Sequence, residues 1–479
     1  MLAATGMLAT LGWRDLLPAA EPEDFPFQHG VASGDPLPDR VILWTRVTPQ
    51  QATDEPSVRW FIARDSRLTQ IVARGEVRAT ALRDHTIKID ATGLEPGTTY
   101  YYGFETRGAR SAMGRTKTLP AGTVRHARLA FASCANLPAG FFNAYACVAQ
   151  REDIDAVLHL GDYLYEFGNG VYGDGRRIAR IPSPNREIVS LADYRTRHAQ
   201  YKRDADLQAA HRQHPFVCIW DDHEIANDTW RDGASNHDPE QDEGEWWLRR
   251  RSAIRAYLEW MPIRERAAPE EDRIYRRLPF GDLADLMLLD TRLLDPARSL
   301  LGAEQEQWLD GQLRRSQARG ARWRILSQQV MLAPLSADGG RSVLNLDQWD
   351  GYPAARQRLY RNLRDANIDN LVVLPGDAHA SFAADLDATT GVEFVTPAIS
   401  SPGIEDESEA VQLTQRLQRG SPHLQYIDLH RQGYGVLDLT PDRALGEIWH
   451  LETVASSSRT QWLAAAFACE AGSHRLQRS

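Results

Sequence analysis

Hydrophobic and polar positions change their period along the chain, and the changes divide it. From residue 24 to residue 119 the period is two. Val41, Leu43, Thr45 and Val47 alternate with Ile42, Trp44 and Arg46, and Val58, Trp60 and Ile62 alternate again. Such alternation predicts half-buried strands. Turn residues punctuate it at short spacing, among them Gly34-Asp35-Pro36 and Glu95-Pro96-Gly97. A β-sandwich is expected over residues 24–119, with a structural role in covering or bracing the next domain. Thr118-Leu119-Pro120-Ala121-Gly122-Thr123 reads as a short linker. From residue 124 to residue 452 short apolar runs alternate with helical stretches, which predicts α/β layers. Strands are expected at residues 129–133, 154–160, 216–220, 283–289, 323–327 and 371–375.

Between these strands lies a helix expected over residues 245–261. Trp247, Ile254, Leu258 and Met261 recur there at helical spacing, facing a core, and Pro262 ends the run. Residues 169–185, rich in Gly, Arg and Pro, read as a long loop over a site. Residues 229–244 read as a second polar loop. From residue 453 to residue 479 the pattern fades, and a short apolar helix with a frayed basic end is expected. Residues 1–23 are apolar and small-residue rich, with Leu17-Pro18-Ala19-Ala20 in the place of a cleavage site. They read as the remnant of an export signal of twin-arginine type without its basic start, which places the protein in the periplasm or outside the cell.

Composition adds limits. The 479 residues are 42% apolar and 25% charged, with a net charge of −10. Nothing in that balance suggests a nucleic-acid surface, and no run reaches transmembrane length. An acidic protein that handles phosphate must supply positive charge locally, and bound metal is one way to do so. The four cysteines, Cys134, Cys147, Cys218 and Cys469, are too sparse for a disulfide scaffold. Cys218 lies in an apolar run and is expected as a buried free thiol.

The candidate chemistry sits where the strands stop. The run over residues 154–160 ends in Gly161-Asp162-Tyr163-Leu164-Tyr165. A strand that stops there delivers a carboxylate to the end of a sheet, where open α/β folds keep their sites. Asp162 can bridge two metal ions, and the Tyr165 phenolate is a hard oxygen ligand for a trivalent ion. Taken alone, the stretch also fits a helix N-cap and a buried tyrosine. Three further strands end in the same manner. Residues 129–133 run into Cys134, residues 216–220 into Asp221-Asp222-His223-Glu224, and residues 371–375 into Gly376-Asp377-Ala378-His379. Four apolar strands, each closing on a potential ligand, argue for a metal site.

The order of these ends resembles the calcineurin-like metallophosphoesterase series, and Gly161-Asp162-x-x-Tyr165 resembles its purple acid phosphatase version, in which tyrosine binds ferric iron. The chain departs from the series at Cys134, Asp222 and Asp377. Together with Phe27-Gln28-His29-Gly30-Val31-Ala32-Ser33-Gly34-Asp35-Pro36, Phe131-Ala132-Ser133-Cys134, Glu259-Trp260-Met261-Pro262 and Leu289-Asp290-Thr291-Arg292, these departures resemble the alkaline phosphatase D (PhoD-like) family over roughly residues 25–450. Leu94 to Tyr100 resembles the tyrosine corner of fibronectin type III domains. The resemblance implies an α/β fold: a calcineurin-like four-layer αββα sandwich preceded by an all-β, fibronectin III-like domain. It also implies an exported, metal-dependent phosphomonoesterase or phosphodiesterase acting on small phosphate esters, with an iron and calcium site.

Ligand chemistry agrees with that choice. Cys134, Asp162, Tyr165 and His379 form an anionic set suited to Fe3+, while Asp162, Asp222 and Asp377 offer oxygens suited to Ca2+. Asn227 is expected to add a carbonyl oxygen. For Cys134 a buried thiol or a disulfide is the structural alternative. The expected reaction is attack on phosphorus by a metal-bound hydroxide, with His223 as the acid that protonates the leaving group and Glu224 orienting its ring. Arg292 is either a phosphate clamp or the ion-pair partner of Asp290. Two alternatives stand beside this reading: two Mn2+ or Zn2+ ions in the same fold acting on diesters, and a non-catalytic exported binding protein.

Overall fold

The structure is a computed structural model describing residues 26–51, 53–267, 272–293, 299–340 and 343–479. The export-signal expectation falls on residues outside these. All six expected strands of the α/β region are present, as Ala127–Ala132, Ala156–His159, Pro215–Cys218, Ala284–Leu288, Trp323–Ser327 and Leu371–Leu374. Several stop a residue or two short of the apolar run, because the closing residues turn out of the strand.

Two large mixed sheets carry the fold. The first has ten strands, in the order Gln477–Arg478, Gln461–Glu470, Arg443–Leu451, Gly433–Leu439, Ala127–Ala132, Ala156–His159, Pro215–Cys218, Val31–Leu37, Arg40–Arg46, Thr86–Thr92. The second has seven, in the order Arg276–Phe280, Ala284–Leu288, Trp323–Ser327, Leu371–Leu374, Gly391–Val395, Ser381–Asp385, Leu424–Asp428. The period of two decides their packing. Leu286, Ile325, Val372 and Phe394 of the second sheet share one core with Leu129, Val157 and Val436 of the first. The intervening Met287, Leu326, Val373 and Val395 turn the other way, to Leu309 and Leu313 of the helix Gly302–Ala318 and Leu359 and Leu363 of Pro353–Asp365. Ala127–Ala132, Ala156–His159 and Pro215–Cys218 are parallel neighbours, so their carboxyl ends fall on one side.

The N-terminal region is mostly strands, with its own core of Val41, Leu43, Val58, Ile62, Tyr100, Tyr102 and Phe104. One wall is a five-stranded sheet built on Ser57–Ala63, Ile71–Arg78 and Thr99–Thr106. The Tyr100 hydroxyl accepts from the Glu95 backbone N–H at 2.8 Å. The other wall is not a separate sheet. Val31–Leu37 pairs in parallel with Pro215–Cys218, with Ser33 opposite Pro215 and Gly34 opposite Phe216. The linker expected near residue 120 therefore does not part the first ten-stranded sheet.

Two local expectations are corrected. The apolar stretch near the C-terminus is a strand, Gln461–Glu470, and not a helix; it pairs antiparallel with Arg443–Leu451 along its length. The helix Trp246–Trp260 forms as expected, yet Trp247 is exposed while Ile254 and Met261 are buried. Trp247 lies in the first turn, which overhangs the core, and its neighbour Trp246 is the tryptophan tied inward, through Nε1 to the Arg231 carbonyl at 3.0 Å. All four cysteines are buried free thiols. Among the described residues, no helix is long and apolar enough to cross a membrane.

Candidate metal centre

Four strand-end residues share an uncommon backbone. Cys134 (φ 64°), Asp162 (φ 53°), Asp377 (φ 60°) and His379 (φ 49°) all adopt left-handed conformations. A non-glycine residue there costs of order 1 kcal/mol or more, and such residues concentrate at functional sites. Each reversal swings a side chain off its strand axis into a shared space. Cys134, Asp162 and His379 offer sulfur, oxygen and nitrogen atoms within 4.8 Å of one another; so do Asp162, Asp222 and His223, and Asp221, Asp222 and Asp377. Asp162 and Asp222 each belong to two of these groups, so the groups form one continuous cluster. The Tyr165 hydroxyl donates to Asp162 Oδ2 at 2.9 Å, lies 3.0 Å from His379 Nε2 and accepts from Ser401 Oγ at 2.7 Å.

Buried acceptors lack donors here. Asp162 Oδ1, Asp221 Oδ2 and Asp222 Oδ1 have no hydrogen-bond partner, although the Arg292 guanidinium lies 3.5 Å from Asp222 Oδ1. An unpaired buried carboxylate oxygen is costly unless a cation or proton meets it. Burial and mutual repulsion act on the same groups. Burial, reinforced by Asp162 and Asp377, pushes Asp222 up to about 7, and burial raises Asp221 further. Burial and the Asp162 charge raise the Cys134 thiol, and the same two causes raise the Tyr165 phenol. Against burial, His223, His379 and the Tyr165 hydroxyl hold Asp162 low. The donor set fits a site built for cations: sulfur, phenol, imidazole and carboxylate on one side, carboxylates alone on the other.

The cluster lines a cavity of about 670 Å³, to which Asp162, Asp222, His223, Asp377 and His379 contribute polar groups and Leu335, Leu413 and Leu417 apolar ones. A second groove, of about 620 Å³ on the outer face of the five-stranded sheet, is lined by Arg59, Phe61 and Arg74 and by none of the cluster.

A family model described as PhoD-like phosphatase matches residues 129–448, and that of the PhoD-like phosphatase N-terminal domain matches residues 13–120. The chain belongs to the PhoD-like phosphatase family. It is 38% identical over 456 residues to alkaline phosphatase D of Bacillus subtilis (strain 168), covering 87% of this chain and 76% of that protein. It is also similar to a solved structure described as "Structure of PhoD", with a TM-score of 0.87 and 35% identity over 95% of this chain and 92% of that one.

Within the cluster, Glu224, Asn227 and Arg292 sit differently from their reading. His223 is oriented by Glu166, not Glu224: Nδ1 lies 2.8 Å from Glu166 Oε2. Glu166 Oε1 accepts from the Asn227 backbone N–H at 2.7 Å and from Asn236 Nδ2 at 2.8 Å, which locks the carboxylate. Burial opposes charge on His223, but Asp222, Glu166 and Asp162 outweigh it and push the imidazole pKa up. Glu224 instead accepts the backbone N–H groups of Asp162 (3.0 Å), Tyr163 (2.6 Å) and Asp221 (2.8 Å), tying two strand ends together. Asn227 lies on the cavity wall, but its carbonyl accepts from the N–H and the hydroxyl of Ser235, each at 2.9 Å. Arg292 is enclosed by acids. Nε bonds Asp221, one terminal nitrogen bonds Asp347, and the other reaches Asp377 at 3.0 Å and Asp222 at 3.5 Å. Asp290 takes only its backbone N–H, at 3.0 Å.

Asp221, Glu166, Asp347 and Ser401 are members of the site that the motifs did not single out. Asp221 could have been suspected, since it stands beside Asp222 at a strand end. Glu166 directly follows residues 161–165, where nothing marks it as the partner of His223, and Asp347 and Ser401 come from loops whose sequences carry no signal.

Proposed function

We propose that this protein hydrolyses phosphate mono- and diesters at a binuclear site, with Cys134, Asp162, Tyr165 and His379 holding ferric iron and Asp162, Asp222 and Asp377 holding calcium. Membership of the PhoD-like phosphatase family makes it a phosphoester hydrolase. The observation that carries the metal reading is the convergence of ligand-type atoms from four strand ends around buried carboxylate oxygens without donors. When bound, the two ions would acidify water and neutralise the phosphate charge. The protein's own groups do the rest. His223, held by Glu166, stands on the cavity wall where, in its protonated form, it can give its proton to a leaving alkoxide. Arg292 neutralises acids around the all-oxygen group, so its part is structural until a ligand frees a nitrogen.

A second reading has some support: Cys134, Asp162 and His379 would also suit zinc. Tyr165, a hard phenolic oxygen, favours iron. Anomalous scattering at the iron edge, with elemental analysis of protein purified without added metal, separates the two. Iron with calcium supports the first reading, and two zinc or manganese ions overturn it. Turnover of nitrophenyl phosphate must also be lost to chelator. The accompanying fold reading is a calcineurin-like αββα sandwich with a fibronectin III-like domain, supported by the shared core of the two sheets and the Tyr100 bond. Export to the periplasm or medium rests on residues 1–23 and is tested by cell fractionation.

A further inference from the structure

Tyr172 belongs to the loop between Tyr165 and the helix Leu191–Tyr201, a stretch rich in glycine and arginine outside the quoted motifs. Its hydroxyl lies 2.8 Å from His379 Nδ1, while His379 Nε2, on the other side of the ring, faces Tyr165 at 3.0 Å. Its ring stacks on His223, with centroids 6.1 Å apart and planes 15° from parallel, and on His379, at 6.0 Å and 26°. Its carbonyl accepts from Asn136 Nδ2 at 2.7 Å, and Asn136 follows Cys134 by two positions. One side chain thus touches both histidines of the site, and its backbone is tied to the turn that carries the thiol.

We propose that Tyr172 is a positioning residue for both histidines: its hydroxyl fixes the plane of His379 so that Nε2 points at Asp162 and Tyr165, and its ring holds His223 against the cavity wall. The inference rests on the metal reading above for what Nε2 serves. The chemistry suits the place. The outer nitrogen of a ligating histidine is ordinarily held by a carboxylate or a carbonyl. Here Asp162, Asp221, Asp222 and Asp377 already crowd the cluster, and another carboxylate would add to their repulsion. A phenolic hydroxyl adds no charge and can both donate and accept, so it holds Nδ1 whichever proton the ring carries. His223 is clasped from two sides, since the Tyr165 ring lies 4.2 Å away. Removing Tyr172 would leave the ring faces of His223 to Tyr165 and to the edge of Phe167, at 5.6 Å, with Nδ1 still bonded to Glu166.

The test compares the full-length wild type with Tyr172→Phe, which keeps the ring, and Tyr172→Leu, which does not. Iron loss to excess chelator is expected to quicken in Tyr172→Phe by about 10- to 100-fold, the range for loss of an outer partner of a ligating histidine, with the melting temperature unchanged. In metal-stripped protein labelled with ring-15N histidine, the Nδ1 resonance of His379, assigned by its disappearance in His379→Gln, should move in Tyr172→Phe while that of His223 stays. In Tyr172→Leu both should move, and turnover of alkyl phosphates should fall several-fold more than that of aryl phosphates. A wild-type rate of iron loss in Tyr172→Phe, or an unmoved Nδ1, overturns the proposal. A wild type that holds no metal at all would instead sink the metal reading, and the nitrogen resonances would then decide the positioning claim.

Discussion

At the scale of single residues, four left-handed turns decide what the site can be. They turn Cys134, Asp162, Asp377 and His379 off the axes of their strands, so that their side chains enter a shared space. Asp162 lies in two of the ligand groups, so Asp162→Asn is expected to remove bound metal and activity together; full activity with unchanged metal content would contradict this. These residues were legible because they combine ligand chemistry with a place at the end of an apolar run. The partner of His223 was not. Glu166 and Glu224 are both close in sequence to residues of the site, and only the reversal at Asp162 brings Glu166 under the imidazole. The consequence is testable by pH. Acidic neighbours raise the His223 pKa, so the acid role proposed for it is expected to persist to higher pH and to be lost as pH rises through that raised value. Glu166→Gln removes one of those charges. The alkaline limb of kcat for alkyl esters should therefore move to lower pH, by about one unit for a lost interaction of ~1.4 kcal/mol. An unmoved limb would assign it to another group.

Among the elements, the strands were readable and the loops were not, for a physical reason. A strand advertises itself by local alternation, whereas a loop takes its shape from distant partners. The loop that delivers Tyr165 and Tyr172 is held by Arg197 of the helix Leu191–Tyr201. This buried guanidinium donates to the carbonyls of Tyr165, Phe167 (3.0 Å), Ser183 (3.2 Å), Pro184 (2.8 Å) and Arg186 (3.3 Å). Nothing in residues 169–185 announces that partner. Arg197→Met should leave those carbonyls without their donors, lower stability by about 2 kcal/mol in urea unfolding and open the loop to limited proteolysis. A protected loop would show that other contacts hold it. The strand ends need small residues as well. A side chain at Gly161, which has a φ of 107°, would overlap Asp221, so glycine lets two acidic turns lie side by side. The C-terminal strand shows the limit of local reading. Its run Ala464-Ala465-Ala466-Phe467-Ala468 favours helix, and nine cross-strand pairings with Arg443–Leu451 override that preference.

For the whole molecule, the N-terminal region and the catalytic region are one structure, and that shapes how the protein unfolds. Val31–Leu37 completes the pairing of Pro215–Cys218, the strand that leads into Asp221 and Asp222. Asp35 pairs with Arg276 and accepts the Arg264 backbone N–H at 2.7 Å. Trp44, fully buried, donates from Nε1 to the Glu259 carbonyl at 2.9 Å and lies 5.8 Å from Trp260. Burying one such ring stabilises by about 2–3 kcal/mol, and here both rings span the two regions. Cutting the chain at the expected linker would therefore uncover a hydrophobic strand edge beside the site and strand Trp260 in water, conditions that favour aggregation over folding. Calorimetry of the full chain should show a single cooperative transition, and a chain beginning at residue 124 should be insoluble or lack the near-ultraviolet signal of packed tryptophans. Two separable transitions, or a folded truncated protein that still turns over nitrophenyl phosphate, would mean that the shared sheet is not what holds Asp221 and Asp222 in place.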